Sequence, residues 1–285
     1  MVCLGASMWG GSGVAGQYLL QDCGFSTGWL VVSRMLLAGV IFLAADVMQY
    51  KESILRVWRD KKDAGDLVLF AILGLLAVQY TYFACIKYGN AAAATVLQYL
   101  MPIIIVGYTA ITTRKLPQYR EIVCVVMAIG GTFLLVTHGN WHELSIPLNA
   151  LLWGLASAVA AAVYTMKPKR LIRKWRPTLV IGWGMLADGI FLLPFCPPWQ
   201  FTGEWNILSG VIYAYVIVFG TVAAFGFYLG SIKYIQPAEA SILGSVEPLA
   251  AIILSIIFLQ ASFGVMDILG TFLIIGTVFL LAKNK

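Results

Sequence analysis

The chain is 285 residues long, 60% hydrophobic and only 11% charged, with a formal net charge of +6 and a mean hydropathy of +0.86. A water-soluble domain carries about 25% charged and 45–50% apolar residues, so there is too little charge here to cover a surface facing water. The chain reads as an integral membrane protein. A soluble catalytic domain is excluded, and so is an outer-membrane barrel, whose strands alternate apolar and polar residues where these runs are continuously apolar.

At about 20 apolar residues per crossing, apolar runs bounded by polar turns predict ten spans in an all-α fold. They lie near residues 2–20, 28–48, 67–88, 91–113, 120–138, 147–166, 178–195, 208–232, 237–260 and 266–283. The first begins at residue 2 with no basic segment before it, unlike a signal peptide, and this points to a start further upstream. Segment 51–62 carries Ile54, Leu55 and Trp58 at helical spacing among basic residues. That pattern fits either a helix lying on the inner leaflet or a solvated linker. The links Gly89-Asn90 and Ile235-Gln236 are short enough to force their neighbours antiparallel.

Of the 19 Lys and Arg residues, all but Lys87 and Arg34 fall on one side of these spans. The loops holding Lys51 to Lys62, Arg114 to Arg120 and Lys167 to Arg176, together with Lys233, Lys283 and Lys285, are therefore expected in the cytoplasm with both termini, as a multi-pass protein of the cell membrane. The basic balance reports topology and not nucleic-acid binding, which needs a continuous basic face. Cys3, Cys23, Cys85, Cys124 and Cys196 form no CxxC pair and no metal-ligand spacing. Only Cys23 and Cys196 fall in outer loops, where a disulfide is feasible. No metal and no cofactor is expected.

Self-comparison shows a repeat. Residues 86–102, IKYGNAAAATVLQYLMP, align without gaps on 232–248, IKYIQPAEASILGSVEP, at an offset of 146 with seven of 17 positions identical. Tyr82 matches Tyr228 in the same register, and Trp9-Gly10 matches Trp153-Gly154 at an offset of 144. Two five-span units, 1–140 and 141–285, are expected. An odd number of spans inserts the second unit upside down, the inverted repeat of secondary transporters, whose substrate sites lie near the bilayer midplane between the halves.

These features together resemble the EamA family of the drug/metabolite transporter superfamily: Trp-Gly in the first helix of each unit, Arg34-x-x-x-Ala38 in the second span, Lys-Tyr-x-x-Ala-x-x-Ala before a Pro-bearing helix, and Glu247-Pro248. The resemblance covers essentially the whole chain and implies export of amino acids or other metabolites. The fourth and ninth helices of that family often end in Leu-Gly-Glu. Here the sequence is Thr113-Arg114-Lys115 and Leu259-Gln260-Ala261, so no role of that glutamate carries over.

Ionisable residues inside a span are costly and face a cavity or a partner. Three qualify as coupling or ion-pairing groups. Glu247 lies ten residues into the ninth span, beside Pro248, and reads as a proton-binding or substrate-amine-binding group, or as one stabilising the kink or paired with Arg34. Arg34 pairs with an acid, binds a carboxylate or phosphate, or reaches outward, and Asp188 reads as a structural partner. Glu239, in the first turn after Pro237, reads as a cap. Trp9, Tyr82, Gln98, Trp153, Tyr228, Gly244 and Glu247 are the candidate substrate-binding residues, with Pro102 and Pro248 as helix kinks. Ala94 and Ala240 share the stripe and fit close helix packing equally well.

The function expected is a secondary active transporter or facilitator exporting small metabolites by alternating access, its partners the substrate, the lipid bilayer and protons, as a monomer or weak homodimer. A flippase for lipid headgroups or lipid intermediates is the alternative. The chain is not expected to be an enzyme, since His138 and His142 both fall in an outer loop, and it has no P-loop for primary transport.

Overall fold

A computed structural model describes residues 1–114, 116–140, 144–231, 234 and 243–282. Lys115, His142-Glu143, Lys233, Ile235-Gln236, Pro237 to Ala240, Lys283 and Lys285 lie outside the described residues. Among those described, every regular element is helical. In chain order they are α1 (Val2–Gln17, continued by a π-helical turn Tyr18–Asp22), α2 (Thr27–Tyr50), α3 (Lys61–Tyr88, with a π-helical turn at Ala71–Leu76) and α4 (Ala91–Thr113). Then follow α5 (Tyr119–Thr137), α6 (Leu148–Met166), α7 (Pro177–Leu192), α8 (Ile207–Ser231, with a π-helical turn at Val218–Ala223), α9 (Val246–Leu259) and α10 (Val265–Ala282). Six of these, α2 to α5, α6 counted through Lys174, and α8, are long and apolar enough to cross a bilayer, while α7, α9 and α10 are shorter apolar helices.

Local chemistry sets the ends. Ser26 accepts from the Trp29 N–H at 3.1 Å, Asn90 from Ala93 at 2.7 Å and Asn206 from Ser209 at 2.8 Å, each satisfying an N–H group that the first helical turn leaves without a partner. Asp60 accepts from Lys62 and Asp63, which starts α3 well before the expected residue 67. Lys51, Arg114, His138 and Gln260 end α2, α4, α5 and α9 with φ of 50–53°, the left-handed conformation that glycine adopts most cheaply. Arg114 and Gln260 stand where the related family often carries the glycine of Leu-Gly-Glu, which gives that glycine a structural reason.

The packing pairs helices across the chain: α1 lies on α9, α2 on α7, α3 and α4 on α6, and α5 on α10. Several crossings bring backbones together, two of them at glycines that face a carbonyl oxygen of the partner helix most closely. A Cβ at Gly10 would stand 2.6 Å from the Glu247 carbonyl oxygen, and Cβ atoms at Gly131 and Gly270 would each strike the other's carbonyl oxygen, at 2.6–2.7 Å. The glycine of the Trp9-Gly10 motif is thus what lets α1 reach α9 at Glu247.

At the end carrying the basic loops, ion pairs join the α2–α3 connection to the α6–α7 connection. Asp46, its carboxylate fully buried, accepts two hydrogen bonds from Arg176, at 3.1 and 2.7 Å, and one from Thr178 at 2.6 Å. Arg176 also donates to Glu52 at 2.7 Å and lies 4.3 Å over the Tyr50 ring. Asp63 accepts from Arg170 at 2.6 Å and from the Trp175 indole at 2.9 Å. In segment 51–62 part of the apolar stripe faces protein: Trp58 packs edge-on to Trp183 at 5.2 Å, neighbouring Val57 is buried, and the Trp183 indole donates to the Ile54 carbonyl at 2.9 Å, while Leu55 stays exposed. Periodicity alone does not distinguish a stripe facing lipid from one facing a neighbouring helix. Cys23 and Cys196 are free thiols, as are the other three cysteines.

Candidate substrate site

The ninth span was expected to run from 237 to 260 with a kink at Pro248. Instead, α9 begins at Val246 after a turn at Ser245, which places Glu247 and Pro248 in its first turn. The cause is local. Proline has no N–H and its ring clashes with the carbonyl four residues back, which for Pro248 is that of Gly244. The freed Gly244 carbonyl accepts instead from the Tyr99 hydroxyl at 2.6 Å, and the same hydroxyl lies 3.3 Å from the Glu247 carboxylate. Tyr99 itself sits in the matching break of α4, between Ala91–Gln98 and Met101–Thr113, the second piece carrying Pro102 in its first turn. The two Pro-induced breaks therefore face each other and are tied by one hydroxyl, with the Glu247 carboxylate at the positive end of the α9 dipole.

Around this junction lies a cavity of about 230 Å³. Of the residues expected to bind substrate, Trp9, Tyr82, Gln98, Tyr228, Gly244 and Glu247 line it, and Arg34 does too. Trp9 packs edge-on to Phe225 and tilted against Tyr228, with centroids 5.0 and 5.2 Å away, and Tyr82 shares a 2.8 Å hydrogen bond with Thr95. Gln98 donates to Ser157 at 2.8 Å, joining α4 to α6. The Arg34 guanidinium donates to the Gln79 amide oxygen and lies 4.7 Å over the Phe83 ring. Among the described residues it pairs with no carboxylate.

Trp153 lies elsewhere, edge-on to Tyr80 at 5.9 Å, and Asp188 is fully buried on α7 with neither carboxylate oxygen hydrogen-bonded. Neither lines the cavity. Sequence reasoning missed Tyr99, Gln79, Phe83 and Tyr164, which do. The signal for Tyr99 was its position between the Gln98 and Pro102 already singled out. Among the described residues no group of three His, Cys, Asp or Glu side chains is placed to hold a metal.

The two ends of the cavity differ. Toward the end away from the basic loops, Trp29 lies five residues from Arg34, about 7.5 Å along α2, in a cluster with Phe25, Phe201, Trp205 and Tyr213 whose centroids are 4.8–5.8 Å apart. The Trp29 indole donates to the Pro198 carbonyl at 2.7 Å, fixing the α7–α8 connection over the cavity. Beside this plug, Gln21 donates to the carbonyls of Ile86 and Gly89 at 2.7 and 2.8 Å, and Gln17 accepts from the Ala91 N–H at 2.8 Å. The end of α1 is thereby latched to the α3–α4 turn. Toward the basic end the lining runs to Thr165, an exposed residue just before Lys167.

Comparison with known proteins places the chain among transporters. A profile described as the EamA-like transporter family matches residues 1–137 and 148–283. The chain is 40% identical over 287 residues to YicL of Salmonella typhimurium, named an uncharacterized inner membrane transporter, covering 100% of this chain and 94% of that one. It is 24% identical over 286 residues to protein PecM of Dickeya dadantii, covering 92% of each. A solved crystal structure superposes with a TM-score of 0.66 at 19% identity, over 99% of this chain and 97% of the other, a likeness of fold.

Proposed function

Because this chain belongs to the EamA-like transporter family, we propose that it is a secondary transporter exporting small metabolites, amino acids foremost, by alternating access between an inverted pair of five-helix halves, 1–140 and 141–285. The observation that carries this reading is the junction of two broken helices, tied by Tyr99, at a cavity that holds the Glu247 carboxylate. Discontinuous helices meeting at a polar cavity are how transporters bind cargo in the middle of a membrane. The packing supports the repeat, since a two-fold exchange of the halves carries α1 on α9 into α6 on α4 and leaves α2 on α7 and α5 on α10 unchanged.

In this reading the basic end is cytoplasmic, the aromatic plug and glutamine latch close the outer side, and cargo loads from within. Glu247 supplies the coupling: one carboxylate balances one positive charge, a proton or a cationic group of the cargo. Occupancy by either excludes the other, so an inward proton is exchanged for an outward cargo. Proteoliposomes loaded with mixed amino acids, nucleotide sugars and organic cations test it, with efflux read by mass spectrometry with and without a pH gradient. Selective loss of amino acids, accelerated by the gradient in the wild type and indifferent to it in Glu247→Gln, is expected. Efflux that Glu247→Gln leaves fully gradient-driven removes Glu247 from coupling, and no efflux of any class from folded protein overturns the exporter.

A further inference from the structure

Arg34 is 3% exposed, and its Nε has no hydrogen-bond partner. A guanidinium stays protonated in a protein, and a buried charge without a partner is costly. What this one has is a neutral amide, Gln79, and the face of Phe83. The two membrane-embedded carboxylates among the described residues are engaged or placed elsewhere: Glu247 is held by Tyr99, and Asp188 lies outside the cavity. The Gln79 Nε2 group also makes no hydrogen bond among the described residues. Two sets of N–H donors and one uncompensated positive charge thus line the cavity on the side of the aromatic plug.

We propose that Arg34 and Gln79 form an anion subsite that takes a carboxylate group of the cargo. The inference rests on the transporter reading and adds to it which residues receive which end of the molecule. Charge matching selects a carboxylate over a phosphate. Among the described residues Arg34 is the one Lys or Arg side chain lining the cavity, so a monoanion leaves the subsite neutral. A phosphate near pH 7 carries more than one negative charge and leaves an excess in the same cavity as Glu247. Gln79 acts as a positioning residue, holding one guanidinium nitrogen and with it the plane of the group at the cavity wall.

The test uses the nine tryptophans to follow melting of the purified full-length protein in detergent with 4-methylpentanoate or its neutral isostere 4-methylpentanamide. The carboxylate is expected to raise the melting temperature of the wild type and the amide to leave it unchanged. Gln79→Glu supplies Arg34 with an internal counter-ion. It should therefore melt no lower than the wild type while losing the carboxylate response, its apparent affinity falling at least tenfold. Arg34→Lys keeps the charge but not the fork, and should retain a weakened response if Gln79→Glu does not fold. Equal effects of carboxylate and amide, a response in Gln79→Glu equal to that of the wild type, or an undiminished response in Arg34→Lys each overturn the subsite. Failure of the transporter reading registers separately, as a wild type that answers the carboxylate in melting yet moves no cargo in proteoliposomes.

Discussion

Gln21→Leu removes the amide that latches α1 to the α3–α4 turn while keeping similar bulk. Two good bonds are lost, to Ile86 and Gly89 at 2.7 and 2.8 Å, with a third, weaker contact to Lys87 at 3.3 Å. A neutral hydrogen bond contributes about 0.5–1.5 kcal/mol net. Gln21 is exposed, so water replaces part of what is lost and each bond belongs in the lower half of that range. About 1–2 kcal/mol is then removed from the latched state alone, a shift of roughly 5- to 30-fold toward opening at the plugged end. The assay is alkylation of Ser12→Cys, a cavity position, in a background with the five native cysteines replaced. A membrane-impermeant maleimide is applied from the plugged side. The labelling rate should rise by that factor in Gln21→Leu, with Gln17→Leu giving a smaller rise because it removes one bond to the turn. A rate within twofold of the parent, in protein of unchanged melting temperature, refutes the latch.

Further expectations follow from the same geometry. Gly10→Val places carbon where 2.6 Å separates an added Cβ from the Glu247 carbonyl, and overpacking of this kind costs about 1–3 kcal/mol, read as a lower melting temperature together with lost transport. Gln260→Gly relieves a left-handed non-glycine residue at φ 51° and should stabilise by about 0.5–1 kcal/mol, measured by thermal unfolding. Asp46→Ala leaves Arg176 with Glu52 and the Tyr50 ring and should destabilise by about 3 kcal/mol, the lower end for a buried pair broken at one partner. Hydrogen bonds from Arg176 and Lys174 hold the Glu52 and Asp60 carboxyls below their ordinary values. Their contribution is therefore complete above the usual carboxylate range and is lost as pH falls through their lowered values. Melting temperature should drop there, and less steeply in Glu52→Gln.

What the sequence made legible was chemistry carried by one residue and its neighbours. Glu247 beside Pro248, Gln98 near Pro102, and Trp9 paired with Gly10 all announced themselves, and all reached the cavity. The site's second half needed partners far apart in sequence. Tyr99 bonds across 145 residues to Gly244 and across 148 to Glu247, and nothing in its own neighbourhood says that its hydroxyl caps a carbonyl freed by a distant proline. Gln79 was similarly silent, an amide within an apolar run whose importance comes from the guanidinium opposite. Trp153 misled because it matches Trp9 in sequence, yet its helix turns it onto Tyr80, away from the cavity.

The two glutamines of the latch have no glutamine counterparts in the second half of the chain. At the offset of 144 that relates Trp9 to Trp153, Gln17 and Gln21 correspond to Ala161 and Thr165, and both of those line the cavity toward the basic end. In the proposed alternating-access cycle, a ligand arriving from that end finds the binding-competent state already dominant. One arriving from the plugged end meets only the unlatched fraction of molecules, and its apparent dissociation constant is raised by the reciprocal of that fraction. The same cavity thus shows two different half-saturation concentrations to its two compartments. Under the proposed export cycle, the asymmetry leaves the final concentration ratio to the driving gradient and keeps the cycle from being stalled by product that has already left.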